Sequence, residues 1–439
     1  MRRFSERAFV IVLLLVSMHL VSALLNSTDV DTETSNAIIS TGVHLPTVIA
    51  EMAMYLWCIM LMLPRWRSTF TAVRAAWPIL LLPALAILSS LWSINPMLTL
   101  RRSTIFTLST LLAIYLGERF TIEEFSHLFA QAQCWFIAGS IAMYFVFPEK
   151  VLDPSHTGAW RGLTVHKNVF GECMAVAVLL LMLVRFKRHR ILQSFFFGAS
   201  ILMLYLSHSI TPTISCGVVI LAIPIFRRIA RLRIKERVFA YAVCGGGTIL
   251  GVFLITSYSA SLLPMLGRNS TLSGRAQLWS LIMDELWKRP LLGYGYEAFW
   301  EGFKGASRGI LESTGWLVPM AHNGYLETLL SIGMVGLLVY GAIFLNAMSM
   351  AVKYLRSDRR SIAAWPIAYL CFFALHNTAE STMLTRTTFE FLVFVQISVA
   401  LQQAKLRERI AAHERVQAEG EEPSISIGEP ALGPSGATV

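Results

Sequence analysis

SGRAQLWSLIMDELWKRPLLGYGYEAFW (273–300) and AHNGYLETLLSIGMVGLLVYG (321–341) enclose the longest polar stretch between apolar runs. Its first part is amphipathic at a helical period. Leu278, Trp279, Ile282 and Leu286 fall three, four, seven and eleven residues after Arg275, so Arg275 shares their face. Ser273 is placed to cap this helix and Pro290 to stop it. One reading is an interfacial helix, with Trp279 and Trp287 at headgroup level and Arg275 snorkelling. The other is a guanidinium aimed at the phosphate oxygens of an anionic lipid.

Outward from this stretch the chain is apolar on both sides: 55% of residues are hydrophobic, 15% charged, and the mean hydropathy is +0.58. Apolar runs near the ~20 residues that cross a bilayer occur at 8–25, 46–63, 76–92, 103–117, 127–148, 169–184, 191–206, 210–226, 238–256, 324–346, 362–378 and 386–401. Segments buried in lipid must satisfy their own backbone, so each is expected to be a helix. The fold class is an all-α polytopic membrane protein of about twelve transmembrane helices. Residues 1–401 form the membrane domain, with a large loop at 257–323 that carries short helices. Residues 402–439, charged and then rich in Gly, Pro, Ser and Glu, form a disordered tail.

Loop charge orients the bundle. Arg2, Arg3 and Arg7, then Arg65, Arg67 and Arg74, then RFKRHR (185–190), RRIARLRIKER (227–237), and Lys353, Arg356, Arg359 and Arg360 all fall on one side if every span crosses. That side is the cytoplasm, and both termini lie in it. The first span has a basic, signal-like start but no small-x-small cleavage site after it, and is expected to be retained. The net charge of +10 is thus topological and does not point to nucleic acid. All six cysteines lie inside spans, which excludes a disulfide framework in the outer loops.

The outer side holds three groupings of His, Asn and Glu. His166, Lys167 and Asn168 open the sixth span with Glu172 a turn inside it. His322 and Asn323 open the tenth, with Glu327 a turn inside. His376 and Asn377 end the eleventh, with Glu380 just beyond. Each alone fits a helix cap or a structural histidine; together they suggest an acid–base and hydroxyl-binding cluster. No His-x3-His or His/Cys spacing appears, so metal ligation is not expected. Outer-face cations, among them Arg101, Arg102, Arg161, Arg268, Arg275, Lys304 and Arg308, oppose the orientation rule. Some are solvated charges, and the rest are suited to neutralising a diphosphate. An ion-coupled transporter would place its ionisable groups nearer the midplane.

The spacing of GRAQLW, PLLGYGYEAFW (290–300) and HNGYL (322–326), followed by Gly333 and Gly336, resembles the signature region of the bacterial O-antigen ligase/polymerase family of the Wzy/WaaL type. Trp92-Ser93 with Pro96 and Leu100-Arg101-Arg102, and Arg161-Gly162 with His166-Lys167-Asn168, are similar to its earlier blocks, especially in exopolysaccharide polymerases of the ExoQ type. The resemblance covers roughly residues 85–400. It implies a GT-C-like, metal-independent inverting glycosyltransferase of the inner membrane with a periplasmic active site and no cofactor. The donor would be an undecaprenyl-diphosphate-linked glycan and the acceptor a glycan or lipid, with membrane lipid around it and a chain-length regulator or export proteins as further partners. By the same resemblance Arg275 engages the diphosphate and His322 acts near the acceptor hydroxyl. Glu327 and Glu380 are alternative bases, and Arg161 or Arg102 assists Arg275. Asn168, Asn323 and His376 line the site with His166 and Lys167. A polymerase making exopolysaccharide or O-antigen, a ligase transferring glycan to lipid A-core or protein, and a transporter or non-catalytic assembly component are the functions to be separated.

Overall fold

The computed structural model describes residues 2–20, 45–154, 156–233, 235–236, 275–303, 305–315, 318–386 and 388–420. Outside these lie the end of the expected first span, the expected ninth span (238–256), Cys244, Arg268, the Ser273 cap, Lys304 and the tail beyond Gly420.

Among the described residues the chain is helical, and the single extended pairing is an isolated bridge between Leu152 and Trp160. Helices α1 (Arg2–Ser17), α2 (Leu45–Met62), α3 (Trp66–Ala75) and α4 (Trp77–Leu88) lead to α5 (Pro96–Arg119) and α6 (Ile122–Val146). A short α7 (Pro148–Val151) precedes α8 (Lys167–Leu183), α9 (Arg190–Leu206) and α10 (Ile210–Ile229). The polar stretch contributes α11 (Arg275–Lys288) and α12 (Arg308–Thr314), and the chain closes with α13 (Gly324–Ser357), α14 (Trp365–His376) and α15 (Phe389–Gly420). Helices α6, α10, α13 and α15 are long and apolar enough to cross a membrane. The bent pair spanning Ile49–Ala75 and Trp77–Leu91, folded by 82°, would make a fifth. This is a multi-pass, all-α protein; α9 and α14 form at expected spans but are shorter.

Local signals explain the helix starts. Asn95 caps α5 by accepting from the Leu98 amide at 3.2 Å, with Pro96 at the first helical position. Thr121 and Glu124 form a reciprocal capping box on α6. Asn323 Oδ1 accepts from the amides of Tyr325 (3.0 Å) and Leu326 (3.1 Å) at the head of α13. Inside the bundle α5 packs along α15, with Phe106 against Phe391 at 4.8 Å and against Tyr296 of the polar stretch at 5.0 Å. The helix α15 runs on past residue 401, the expected end of the membrane domain, to Gly420.

The helix α13 is broken at Gly333, where φ is 68°. The break would leave four backbone groups without partners, and the PLLGYG segment supplies them. Leu330 O accepts from Tyr294 N (2.7 Å) and Ser331 O from Gly295 N (3.0 Å), while Met334 N donates to Pro290 O (2.9 Å) and Val335 N to Leu291 O (3.2 Å). The approach is so close that a Cβ at Gly333 would sit 2.1 Å from Leu291 O, and one at Gly293 2.6 Å from Leu330 O. Those glycines therefore serve a backbone-to-backbone join.

Candidate active site

The α11 helix buries Leu278, Ile282 and Leu286 in a satellite core with Tyr294, Phe299 and Trp300, so its apolar face meets protein. Trp279 belongs to the same packing and donates its indole N–H to Ala321 O at 2.9 Å. That bond ties α11 to the residue preceding His322. Of the two tryptophans only Trp287 is exposed, as an interfacial helix would have it.

Arg275 thus arrives at the turn after α14. Its Nη1 donates to Ala379 O at 2.7 Å and its Nη2 to Glu380 Oε1 at 2.9 Å. The other oxygen of Glu380 lies 3.5 Å from His322 Nδ1. Asn168, at the head of α8, donates to Glu380 Oε1 at 3.0 Å and accepts from Ser209 at 3.0 Å. Four of the expected residues, far apart in sequence, therefore meet on one carboxylate. Burial alone would raise the pKa of Glu380; the hydrogen bond from His322 and the charge of Arg275 outweigh it and bring it down to about 2.

His322 has a left-handed backbone, φ 48°, uncommon for a residue with a side chain. Glu327 holds this turn: its carboxylate accepts from the Ala321 amide at 2.8 Å and from Trp300 Nε1 at 3.0 and 3.1 Å. Asn323 adds two donated bonds, from its side-chain Nδ2 to Thr378 O and from its backbone amide to Ser381 Oγ, both at 3.0 Å. The pair His322-Asn323 is therefore clamped from three elements.

Arg102 belongs to a second cluster. Its Nη1 donates to Glu297 O, its Nε lies 3.8 Å from Glu297 Oε2, and Arg386 pairs with the same carboxylate. Glu297 too is left-handed, φ 50°. The WSINP block docks on this loop: Trp92 Nε1 donates to Leu292 O, Ile94 N to Tyr294 O, and Asn95 Nδ2 to Glu301. A narrow cleft lined by Glu297, Glu327, Ser331 and Ser381 lies between the two clusters.

Four expected site residues stand elsewhere. Arg161 does not join Arg275; its Nε donates to Lys150 O at 3.0 Å, and burial lowers its pKa. His376 is not at the rim but fully buried, with Nε2 3.1 Å from Glu172 and its ring stacked on Phe372. The apolar α14 carries it inward, where Glu172 is the carboxylate that faces it. His166 caps α8 by accepting from the Asn168 amide at 3.2 Å, burial lowering its pKa, and the Lys167 amide donates to Asp153 at 3.1 Å. The residues not foreseen are Arg386, Glu297, Ser209, Ser381 and Trp300. Arg386 had a signal, since it heads the last expected span, at the end where Arg101 and Arg102 were also expected.

Helix ends carrying arginine, imidazole and carboxylate beside a cleft define a membrane protein with a polar site at one face of its bundle. Residues 172–341 match a family model described as O-Antigen ligase. A stretch of 173 residues is 30% identical to the exopolysaccharide production protein ExoQ of Rhizobium meliloti (strain 1021), covering 37% of this chain and 39% of that protein. The match thus spans less than half of the relative's length. The resemblance of this chain to the O-antigen ligase/polymerase family, ExoQ type included, holds.

Proposed function

We propose that this protein is a membrane glycosyltransferase that extends glycan chains, taking the growing saccharide from a polyprenyl diphosphate and passing it to a sugar hydroxyl on the periplasmic face. The observation that carries the reading is the convergence of Arg275 and His322 on Glu380. Held beside the ionised carboxylate of Glu380, the His322 imidazole is the group assigned to take the proton of the acceptor hydroxyl. The hydroxyl oxygen bonds to the anomeric carbon as the carbon–phosphate oxygen bond breaks. The diphosphate leaves with that electron pair and the hydroxyl proton goes to the imidazole.

Glu380 and Glu327 are then positioning residues. A carboxyl with a pKa near 2 is too weak a base for a hydroxyl, and both oxygens of Glu327 are engaged in holding the His322 turn. Arg275 has N–H donors beyond the two it uses, which we assign to the departing diphosphate, and Arg102 with Arg386 forms a second cationic flank. Polymerisation is favoured over ligation to lipid A-core or protein by the WSINP and LRR blocks and by the ExoQ relative.

The test is reconstitution of the purified full chain in lipid with one defined undecaprenyl-diphosphate oligosaccharide. A ladder of lipid-linked products is expected. Arg275→Ala and His322→Ala should each abolish it while the protein remains inserted and abundant. A ladder from both variants would overturn the site, and transfer only to an added lipid A-core acceptor would make the protein a ligase.

A further inference from the structure

The loop between α7 and α8 gathers a second set of side chains that the reaction above does not use. Asp153, buried to 2% of its side chain, has Oδ1 3.1 Å from Nδ1 of His156, which is 44% exposed. His166 approaches from the head of α8, its ring edge-on to that of His156 with centroids 5.7 Å apart. One ligand atom from each of the three lies within 4.8 Å of the other two.

The loop is built to hold this arrangement. Asp153 N donates to Ala159 O (2.8 Å) and Ala159 N to His156 O (3.0 Å), and the Leu152–Trp160 bridge closes the turn behind them. His166 Nδ1 accepts a backbone amide, so it carries a lone pair and no proton, the state a metal ligand requires. A hydrogen-bonded Asp–His pair would suffice to staple this loop. A second imidazole, which also caps α8, stands beside the same buried carboxylate, giving three ligand types in one place.

We propose that Asp153, His156 and His166 form a divalent transition-metal site of the zinc class, with three protein ligands and a fourth position open to water. Two imidazoles and a carboxylate suit zinc, which binds them at about 2.0–2.2 Å in tetrahedral geometry. Ligand atoms around such an ion stand roughly 3.3 Å apart by those bond lengths. The exposed His156 ring supplies the small closure from 4.8 Å. On binding, His166 exchanges its bond to the Asn168 amide for a bond to the metal.

The experiment uses the full chain in detergent micelles, with any affinity tag removed and metal stripped by chelator. Zn²⁺ is titrated calorimetrically, and Co²⁺ is added as a spectroscopic probe whose visible absorption is intense only in tetrahedral sites. One equivalent of Zn²⁺, a tetrahedral cobalt spectrum and a rise in melting temperature on metal addition are expected. His156→Asn, at the most exposed of the three side chains, should weaken binding at least tenfold while the protein stays monodisperse in size-exclusion chromatography, as should Asp153→Asn. His413→Asn, on the far end of α15, should leave it unchanged. Uptake by the parent chain no tighter than by His156→Asn, or a cobalt spectrum without the tetrahedral bands, would overturn the proposal. Neither readout depends on glycosyl transfer, so the site stands or falls apart from the proposed function.

Discussion

Replacing Glu380 with Gln removes the charge on which Arg275, His322 and Asn168 converge while nearly preserving shape. In the folded protein its pKa falls from the ordinary 4.5 to about 2. A shift of that size corresponds to roughly 3 kcal/mol of stability at neutral pH, by ~1.4 kcal/mol per pKa unit. Arg275 and His322 are each about a fifth exposed, and water screens part of the interaction, so about 2 kcal/mol is the expected loss. The pH dependence identifies the cause. A carboxyl whose folded pKa is depressed stabilises the fold above its unfolded pKa. As pH falls below 4.5 the unfolded chain takes up the proton first, and the advantage drains until the folded carboxyl also titrates near pH 2. Unfolding of parent and Glu380→Gln chains in detergent, followed by tryptophan fluorescence between pH 7 and pH 3, should give a constant gap down to about pH 4.5 that narrows below it. A gap that stays constant to pH 3, or none at pH 7, would refute the assignment of Glu380 as the ionised hub.

Gly333→Ala should prevent the join between α13 and the PLLGYG segment. Its Cβ meets main-chain atoms that have no freedom to move, and its φ of 68° opposes any side chain, so a loss above about 3 kcal/mol is expected and would show as loss of monodisperse protein in size-exclusion chromatography. Asn323→Ala removes the acceptor for two amides and the contact to Thr378, and should lower stability by about 1–2 kcal/mol. Asn323→Ser should recover most of the capping share, and equal melting temperatures for the parent and both variants would contradict this.

Much of this was legible in the sequence because apolar length and cap chemistry are local. The caps at Asn323 and His166 fall where short polar residues precede apolar runs, and Arg275 lies on the apolar face of α11 as its spacing requires. What escaped was set by tertiary geometry. The periodicity of α11 is the same for a helix on lipid and one on a satellite core, so only the fold reveals that Leu278 and Ile282 meet protein. His376 was placed at a rim because it ends a span, yet the apolar α14 carries it inside to face Glu172 of another helix. The number of crossings rested on treating every apolar run as a full span, and α9 and α14 are too short for composition alone to settle that.

The exchange of hydrogen bonds at Gly333 limits how such a protein can be rebuilt. Because residues 290–295 complete the backbone of α13, that loop is a splint set into the shaft of a helix rather than a detachable cover. Grafting that loop from one relative onto the helices of another would pair mismatched halves of a single joint. Productive chimeras should instead exchange residues 290–341 as one piece.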